Sequence, residues 1–365
     1  MTAAPVQFGF MELPRSLDET ARLARHADEA GYAWLGIADS PTVYQESYLH
    51  QFEALKHSTR LRVGPLVSHV VARHPVIVAN LLATLNEAGG GRTVGVIGTG
   101  NSAARGLGLR PATAGDLRAA VGAIRGYWAG RGGAYRDTAI PPTGITRAAC
   151  PLLVAADGPR ITEAGGQCGD GVLYGGTMKA DVLARRVAAA RAPHGTAPHG
   201  TAPNSTAPDS TAPDSTAPDS TRFWIGPAVS LGETIDEVLE DMGAMVVAMA
   251  NRAFRGDLAE RGIPDRLHPD VQLMWQRYDY AFHADTTRPR NLEVVSRPLA
   301  EYLVENFVIW GDERRWAQRL GELAAQGCDG VMFILGQDDQ HAAVLRITER
   351  LRRLALLPSP AGSRP

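Results

Sequence analysis

Cysteine is scarce in this chain. Cys150, Cys168 and Cys328 lie far apart, with no C-x-x-C pair. An odd, scattered count argues against a disulfide framework and against structural zinc, and a reduced, cytoplasmic setting is expected. The ten histidines form no HExxH, so no metal site is expected. An excess of one charge is also missing. A net charge of −2 over 365 residues offers nucleic acid nothing to hold. No apolar run approaches the roughly eighteen residues of a membrane span. The opening MTAAPVQFGFMELPRS lacks a basic region followed by an apolar run, so no signal peptide is expected.

What is present is a globular composition, 44% hydrophobic and 21% charged. One stretch breaks it. Residues 194–221 repeat a five-residue unit: HGTAP twice, NSTAP, then DSTAP. Pro, Ser, Thr and Asp cannot build a core, so a disordered surface loop is expected, read as a tolerated insertion or a docking segment. The sequon Asn204-Ser205-Thr206 carries no weight without a secretion signal. The chain is read as one domain over 1–365, with this loop inside it.

Elsewhere short apolar runs alternate with helical patterns. The strand candidates are QFGF (7–10), YAWLGIAD (32–39), LRVGPLV (61–67) and TVGVIGT (93–99), then LLVAAD (152–157), GVLYGG (171–176), FWIGPAVS (223–230) and DGVMFIL (329–335). Ser16 and Glu19 read as a capping box opening the first helix, and Gly31 as its C-terminal stop. Further helices are expected near 48–57, from Pro75, over 116–128, 159–165, 178–191, 312–325 and 341–354. A long helical region, 233–306, should break near Gly262–Pro264. Eight strands alternating with helices imply parallel strands with helices outside, an α/β (β/α)8 TIM barrel. The helical excess after strand seven would form an extension over one end.

The run VGVIGTGNSAARGLG (94–108) complicates this reading. Gly98, Gly100 and Ala103 fit G-x-G-x-x-A, a permitted dinucleotide fingerprint. That fingerprint requires an acidic residue about twenty positions on, ending the next strand. Asp116 instead opens a helix, and the turn follows the fourth strand rather than the first. A barrel gives the glycines another task, because barrel sites lie at the C-terminal ends of strands. Those ends carry Ala38-Asp39-Ser40, Gly64 to His69, Gly98 to Ser102, Ala155 to Gly158 and Tyr174 to Thr177. Such small, amide-rich turns suit a large, flat, phosphate-bearing cofactor better than a metal.

Four stretches resemble the bacterial-luciferase-like superfamily. They are ADSPTVY after strand two, residues 63–111, PLLVAADGPRITEAGGQCGDGVL (151–173) and AQGCDGVMFIL (324–335). Arg73-His74-Pro75, Ala83-Thr84-Leu85, Gly91-Arg92 and the turn from Gly98 to Ala103 are similar to the branch that includes coenzyme F420-dependent methylenetetrahydromethanopterin reductase. The resemblance implies a TIM barrel binding coenzyme F420 or, alternatively, FMN. It implies a strand-three bulge within Gly64, Pro65, Leu66 and Val67 that backs the ring, with a cis peptide placed at the bond entering Leu66. It brings Asp39 and Ser68 near the ring, and makes cofactor-side loops of Gly98, Thr99, Gly100, Asn101 and Ser102 and of Ala155, Ala156, Asp157 and Gly158, the latter on the phosphate side. The sugar-phosphate dehydrogenase branch has a histidine where Ser40 stands and a glutamate where Asn101 stands. Neither replacement titrates near neutral pH.

The catalytic candidates are therefore Asp39, Asn101 and His69. Asp39 reads as ring-facing or as a turn cap. His69 reads as a proton donor or as a packing residue. Arg73 and His74 bind an anion or fix the turn before Pro75. Tyr174 is expected on the pocket wall. Asp157 is expected to act through its backbone, since its carboxylate would repel a phosphate. Trp275, Tyr278, Tyr280, Phe282 and His283 form an aromatic cluster that covers a substrate pocket or packs internally. The leading function is hydride transfer between F420 and a small organic substrate. The alternatives are a reduced-FMN monooxygenase of the same fold and a barrel that binds flavin without turnover. Homodimers are common among such barrels.

Overall fold

The computed structural model describes residues 6–192, 221–283, 290–337 and 339–358. The repeat and its expected looseness lie outside the described residues, apart from Thr221. Eight strand positions alternate with helices, as the apolar runs require. They are Gln7–Glu12, Trp34–Ile37, Arg62–Pro65 continued by Ser68–His69, Gly95–Gly98, Leu152–Ala156, Gly171–Tyr174, Arg222–Ile225 continued by Ala228–Val229, and Gly330–Ile334. All neighbours in this sheet pair in parallel.

Strand three joins the ends of the ring. Its first segment pairs with strand two (Gly36 with Gly64) and its second with strand four (Ser68 with Ile97). Low down, Val94 N donates to Val63 O at 3.0 Å. Gly64 makes that seam possible, because a Cβ there would lie 1.7 Å from Val94 O.

Side chains alternate across the sheet with period two. Trp34, Val94, Val96, Leu153, Leu173, Trp224 and Met332 fill the barrel. Trp34 and Trp224 meet edge to face at 5.1 Å. Phe8, Phe10, Ile97, Val154, Tyr174 and Phe333 turn outward against the helices.

Several expectations change. Strands three and seven are each interrupted. Pro227, which has no N–H to give a ladder, lies in the second gap. The cis peptide is Leu66–Val67, one bond later than expected. Leu66 N still donates to Ile37 O at 2.6 Å, so the ladder with strand two runs through Leu66 and the interruption follows it. Only half of the first capping box forms: Ser16 Oγ accepts from Glu19 N at 3.2 Å. The helix expected from Asp116 begins at Ala114, and its full capping box pairs Thr113 with Asp116. Asp116 thus caps a helix and pairs with Arg136 at 3.8 Å, rather than ending a strand. A short helix, Asn101–Gly106, and a hairpin, Gly133–Tyr135 with Thr138–Ile140, were not anticipated.

The helical excess after strand seven is several pieces rather than one rod. Ile235–Ala253, His268–Arg277 and Arg297–Phe307 are its main helices. Gly262, at φ +75°, turns the chain between the first two. These helices share a second core, including Val238, Met242, Val271, Leu303 and Phe307, that also takes in Leu13 and Ala38 from the barrel rim. The extension therefore sits on the C-terminal ends of the strands.

Candidate active site

A cavity opens between the strand ends and this cap. Met11, Leu66, Val67, Ala155, Leu173 and Ile334 give it an apolar floor. Asp39, Ser40, Thr99, Asn101, Ser102 and Asp157 add polar groups, and Met245, Met249, Arg252 and His283 reach in from the cap. Gly98 keeps the wall thin, since a Cβ there would lie 2.9 Å from Val67 Cγ1. Gly100 adopts φ +77° and opens the Asn101–Gly106 helix without a side-chain cap.

Asp39 lies just beyond strand two and is buried. Arg73 grips it with two bonds, Nε to Oδ2 at 3.2 Å and an Nη to Oδ1 at 3.0 Å. Ser68 Oγ donates to Oδ2 at 2.8 Å. Arg73 also donates to both oxygens of Glu46 at 2.9 Å and lies 5.1 Å from the Tyr48 ring centroid. Burial alone would lower the pKa of Arg73, but the charges and hydrogen bonds of Asp39 and Glu46 outweigh it and raise it. Arg73 is thus a fixed cation whose charge is already matched. His74 caps the helix Pro75–Ala88, its Nδ1 accepting from Val76 N at 3.2 Å.

The structure brings most of the expected positions to the cavity, but not all. Asp39, Leu66, Val67, Gly98, Thr99, Gly100, Asn101, Ser102, Ala155, Ala156 and Asp157 line it. Ser68 and Pro65 lie behind this wall, buried in strand three. His69 is wholly buried and packs beneath Gly100, whose Cβ would lie 2.8 Å from His69 Cβ. Its Nδ1 accepts from Ala72 N at 3.4 Å. Burial lowers its pKa and keeps it neutral. Tyr174 corrects the expectation outright. Leu173 is the inward residue of strand six, so Tyr174 points outward and packs on Phe223 at 5.9 Å.

Asp157 and Gly158 follow strand five directly. Arg252 Nε meets Asp157 Oδ2 at 2.8 Å, which neutralises the carboxylate. Arg261 donates to Asp157 O, and its guanidinium lies where a Cβ on Gly158 would fall. Gly158 starts the helix Pro159–Cys168 with no side-chain cap, leaving amides open. Asn101 Oδ1 accepts from Arg105 Nε at 2.9 Å. The Ser40 and Ser102 hydroxyls pair at 3.1 Å, tying two strand ends together.

Of the aromatic cluster, only His283 is among the lining residues described. Its Nδ1 meets the Tyr278 hydroxyl at 2.5 Å. Arg252, Met245 and Met249 were missed by sequence reasoning. They lie at i, i+4 and i+7 of the helix Ile235–Ala253, a spacing identical to that of a buried face. Nothing local marks that face as a cavity wall.

Among the described residues no helix is long and apolar enough to cross a membrane, and no group of three acidic, histidine or cysteine side chains could hold a metal.

Comparison with known proteins agrees with this architecture. A 5,10-methylenetetrahydromethanopterin reductase of Methanolobus tindarius is 27% identical over 169 residues, 44% of this chain and 51% of the relative. The chain thus spans about half the length of the curated relatives it matches. The coenzyme F420-dependent tetrahydromethanopterin reductase of Methanopyrus kandleri superposes with a TM-score of 0.70 at 18% identity, covering 96% of this chain and 99% of that one. An F420-dependent secondary alcohol dehydrogenase holding an F420–acetone adduct gives 0.66 at 15% identity, covering 96% and 99%. A Pseudomonas putida 3,6-diketocamphane monooxygenase constituent in complex with FMN gives 0.59 at 16% identity, covering 98% and 100%. These structural likenesses show the fold, a luciferase-like TIM barrel. The family model of luciferase-like monooxygenases matches residues 2–330, and the chain belongs to that family.

Proposed function

We propose that this chain is an oxidoreductase that moves hydride between coenzyme F420 and a small organic substrate. One observation carries the reading. Both carboxylates on the cavity wall are already held by an arginine, Asp39 by Arg73 and Asp157 by Arg252. The buried His69 lies behind the wall. A site with so little free acid or base suits a reaction whose redox chemistry a bound cofactor supplies.

The residues present fit such a group. Leu66, Val67, Gly98 and Ala155 offer a flat apolar surface. The uncapped helix start at Gly158, with Arg252 and Arg261 beside it, suits a phosphate. When bound, the deazaflavin would supply the hydride chemistry. The protein's own groups orient it, exclude water and keep Asp157 neutralised. The F420-dependent relatives support this choice of cofactor.

The FMN-bound neighbour supports a second reading, a reduced-FMN monooxygenase. Anaerobic titration with reduced F420 and reduced FMN, followed by oxygen uptake, separates the two. F420 binding without oxygen consumption is expected. FMN binding with oxygen uptake on a substrate would replace the proposal with the monooxygenase. If neither bound below about 1 mM, roughly −4 kcal/mol, both cofactor readings would fall.

A further inference from the structure

His283 stands apart from every other polar group on the cap side of the cavity. Met245 and Met249 there are apolar, and Arg252 is paired with Asp157. His283 alone is polar and uncharged, and no bond to its Nε2 is found among the described residues. The ring is held by two tyrosines. Tyr278 OH meets Nδ1 at 2.5 Å. The Tyr280 ring stacks on it at 6.0 Å and 20°. Tyr280 is itself fixed, its hydroxyl accepting from Asn251 Nδ2 at 3.2 Å, with the Arg105 guanidinium 5.8 Å from its ring centroid.

Charge and tautomer follow from these neighbours. Burial first, then the Arg252 cation, pushes the His283 pKa down to about 4, so the imidazole is neutral at pH 7. Burial, with the neighbouring Tyr280, raises the Tyr278 hydroxyl above its usual range, so that group keeps its proton. No second acceptor for the Tyr278 proton is found among the described residues. Giving it to Nδ1 satisfies both partners, and the ring proton then sits on Nε2. A neutral imidazole of this kind donates a hydrogen bond without giving up its proton, and so polarises an acceptor atom.

We propose that His283, fixed as the Nε2–H tautomer by Tyr278, donates a hydrogen bond to the carbonyl oxygen of a small ketone or aldehyde held in the cavity. Tyr278 is the positioning residue. The substrate half rests on the oxidoreductase reading above, while the tautomer half does not need it.

The test uses the full chain with ¹⁵N-labelled histidine. Long-range proton–nitrogen spectra separate protonated from bare ring nitrogens, and the His283→Gln variant identifies the signals. A bare Nδ1 and a protonated Nε2 between pH 6 and 9 are expected. Tyr278→Phe should mix the two tautomers and move the Nδ1 signal while the fold persists, so it serves if His283→Gln fails to fold. A bare Nε2, or an imidazolium at pH 7, overturns the proposal. Acetone, cyclohexanone and benzaldehyde are then titrated in the presence of oxidised F420. At least one should shift the Nε2 signal, and His283→Gln should weaken it about five- to tenfold, the size of one hydrogen bond. Failure of all three to bind at about 10 mM concentration, or binding that ignores His283, overturns the carbonyl assignment. F420 binding, read by its absorbance in the same samples, reports separately on the cofactor reading.

Discussion

Arg73 is the side chain that holds Asp39 in place on the cavity wall. It has one charge to share between Asp39, which is buried, and Glu46, which is half exposed. Its planar fork meets Asp39 through two nitrogens while the same plane lies near the Tyr48 ring. Lysine offers a point charge and no such plane. Arg73→Met would strand the Asp39 carboxylate, leaving Ser68 Oγ as its remaining donor. A loss of about 3 kcal/mol in urea unfolding is expected, with Arg73→Lys recovering only part of it. A loss below about 1 kcal/mol would mean that the pair is better solvated than its burial implies.

At the scale of elements, the turn before strand three is captured by the end of the first helix, Leu17–Ala30. Asp28 there accepts from Thr59 N at 2.9 Å, Thr59 Oγ1 at 2.8 Å, and Arg60 N and Leu61 N at 2.7 Å each. Burial alone would raise its pKa. The amides of Thr59 and Arg60, the Thr59 hydroxyl and the Leu61 amide outweigh burial and hold it below the usual value of 3.8. A depressed folded-state pKa stabilises the fold above the unfolded pKa, and that stabilisation is lost as pH falls through the folded value. Asp28→Asn should cost about 2 kcal/mol at pH 7. The gap to the parent protein should hold down to about pH 4 and narrow below it. Urea melts at pH 7, 5, 4 and 3 check this. A gap that stayed constant to pH 3 would show that shape rather than charge captures the turn.

Across the whole molecule, the chain leaves and re-enters the barrel at one spot around the repeat. Arg191, ending the helix Ala180–Arg191, donates to Thr221 O at 3.2 Å, to Gly327 O at 2.9 Å and to Asp329 Oδ2 at 2.8 Å. Strand seven is also placed by Asp329, whose Oδ2 accepts from Phe223 N at 2.6 Å. Apart from Thr221, the last residue of the repeat, these contacts fix the two ends through residues outside it. Replacing 194–220 with a short Gly-Ser linker should leave the melting temperature and F420 affinity unchanged, because loop length changes closure entropy only slowly. Thermal melts and a cofactor titration measure both. Weaker F420 binding at an unchanged melting temperature would instead assign the repeat a place at the site.

The sequence by itself determined the alternation of eight strands with helices, the small-residue turns at the strand ends that line the cavity and the local punctuation that builds both. Those features are written in neighbours a few residues apart, such as the short apolar strand runs and the spacing of Thr113 and Asp116. The last of these separates the glycine turn at Gly98 from a dinucleotide fingerprint within the chain's own local chemistry. Only the tertiary structure decided which of Leu173 and Tyr174 faces inward, because both are apolar enough for either side of a barrel strand. It alone joined Asp39 to Arg73 across 34 positions and brought Arg252 and His283 from the cap onto the cavity wall. Such pairings arise from how strand ends and cap helices converge in space, and no period along the chain encodes that convergence.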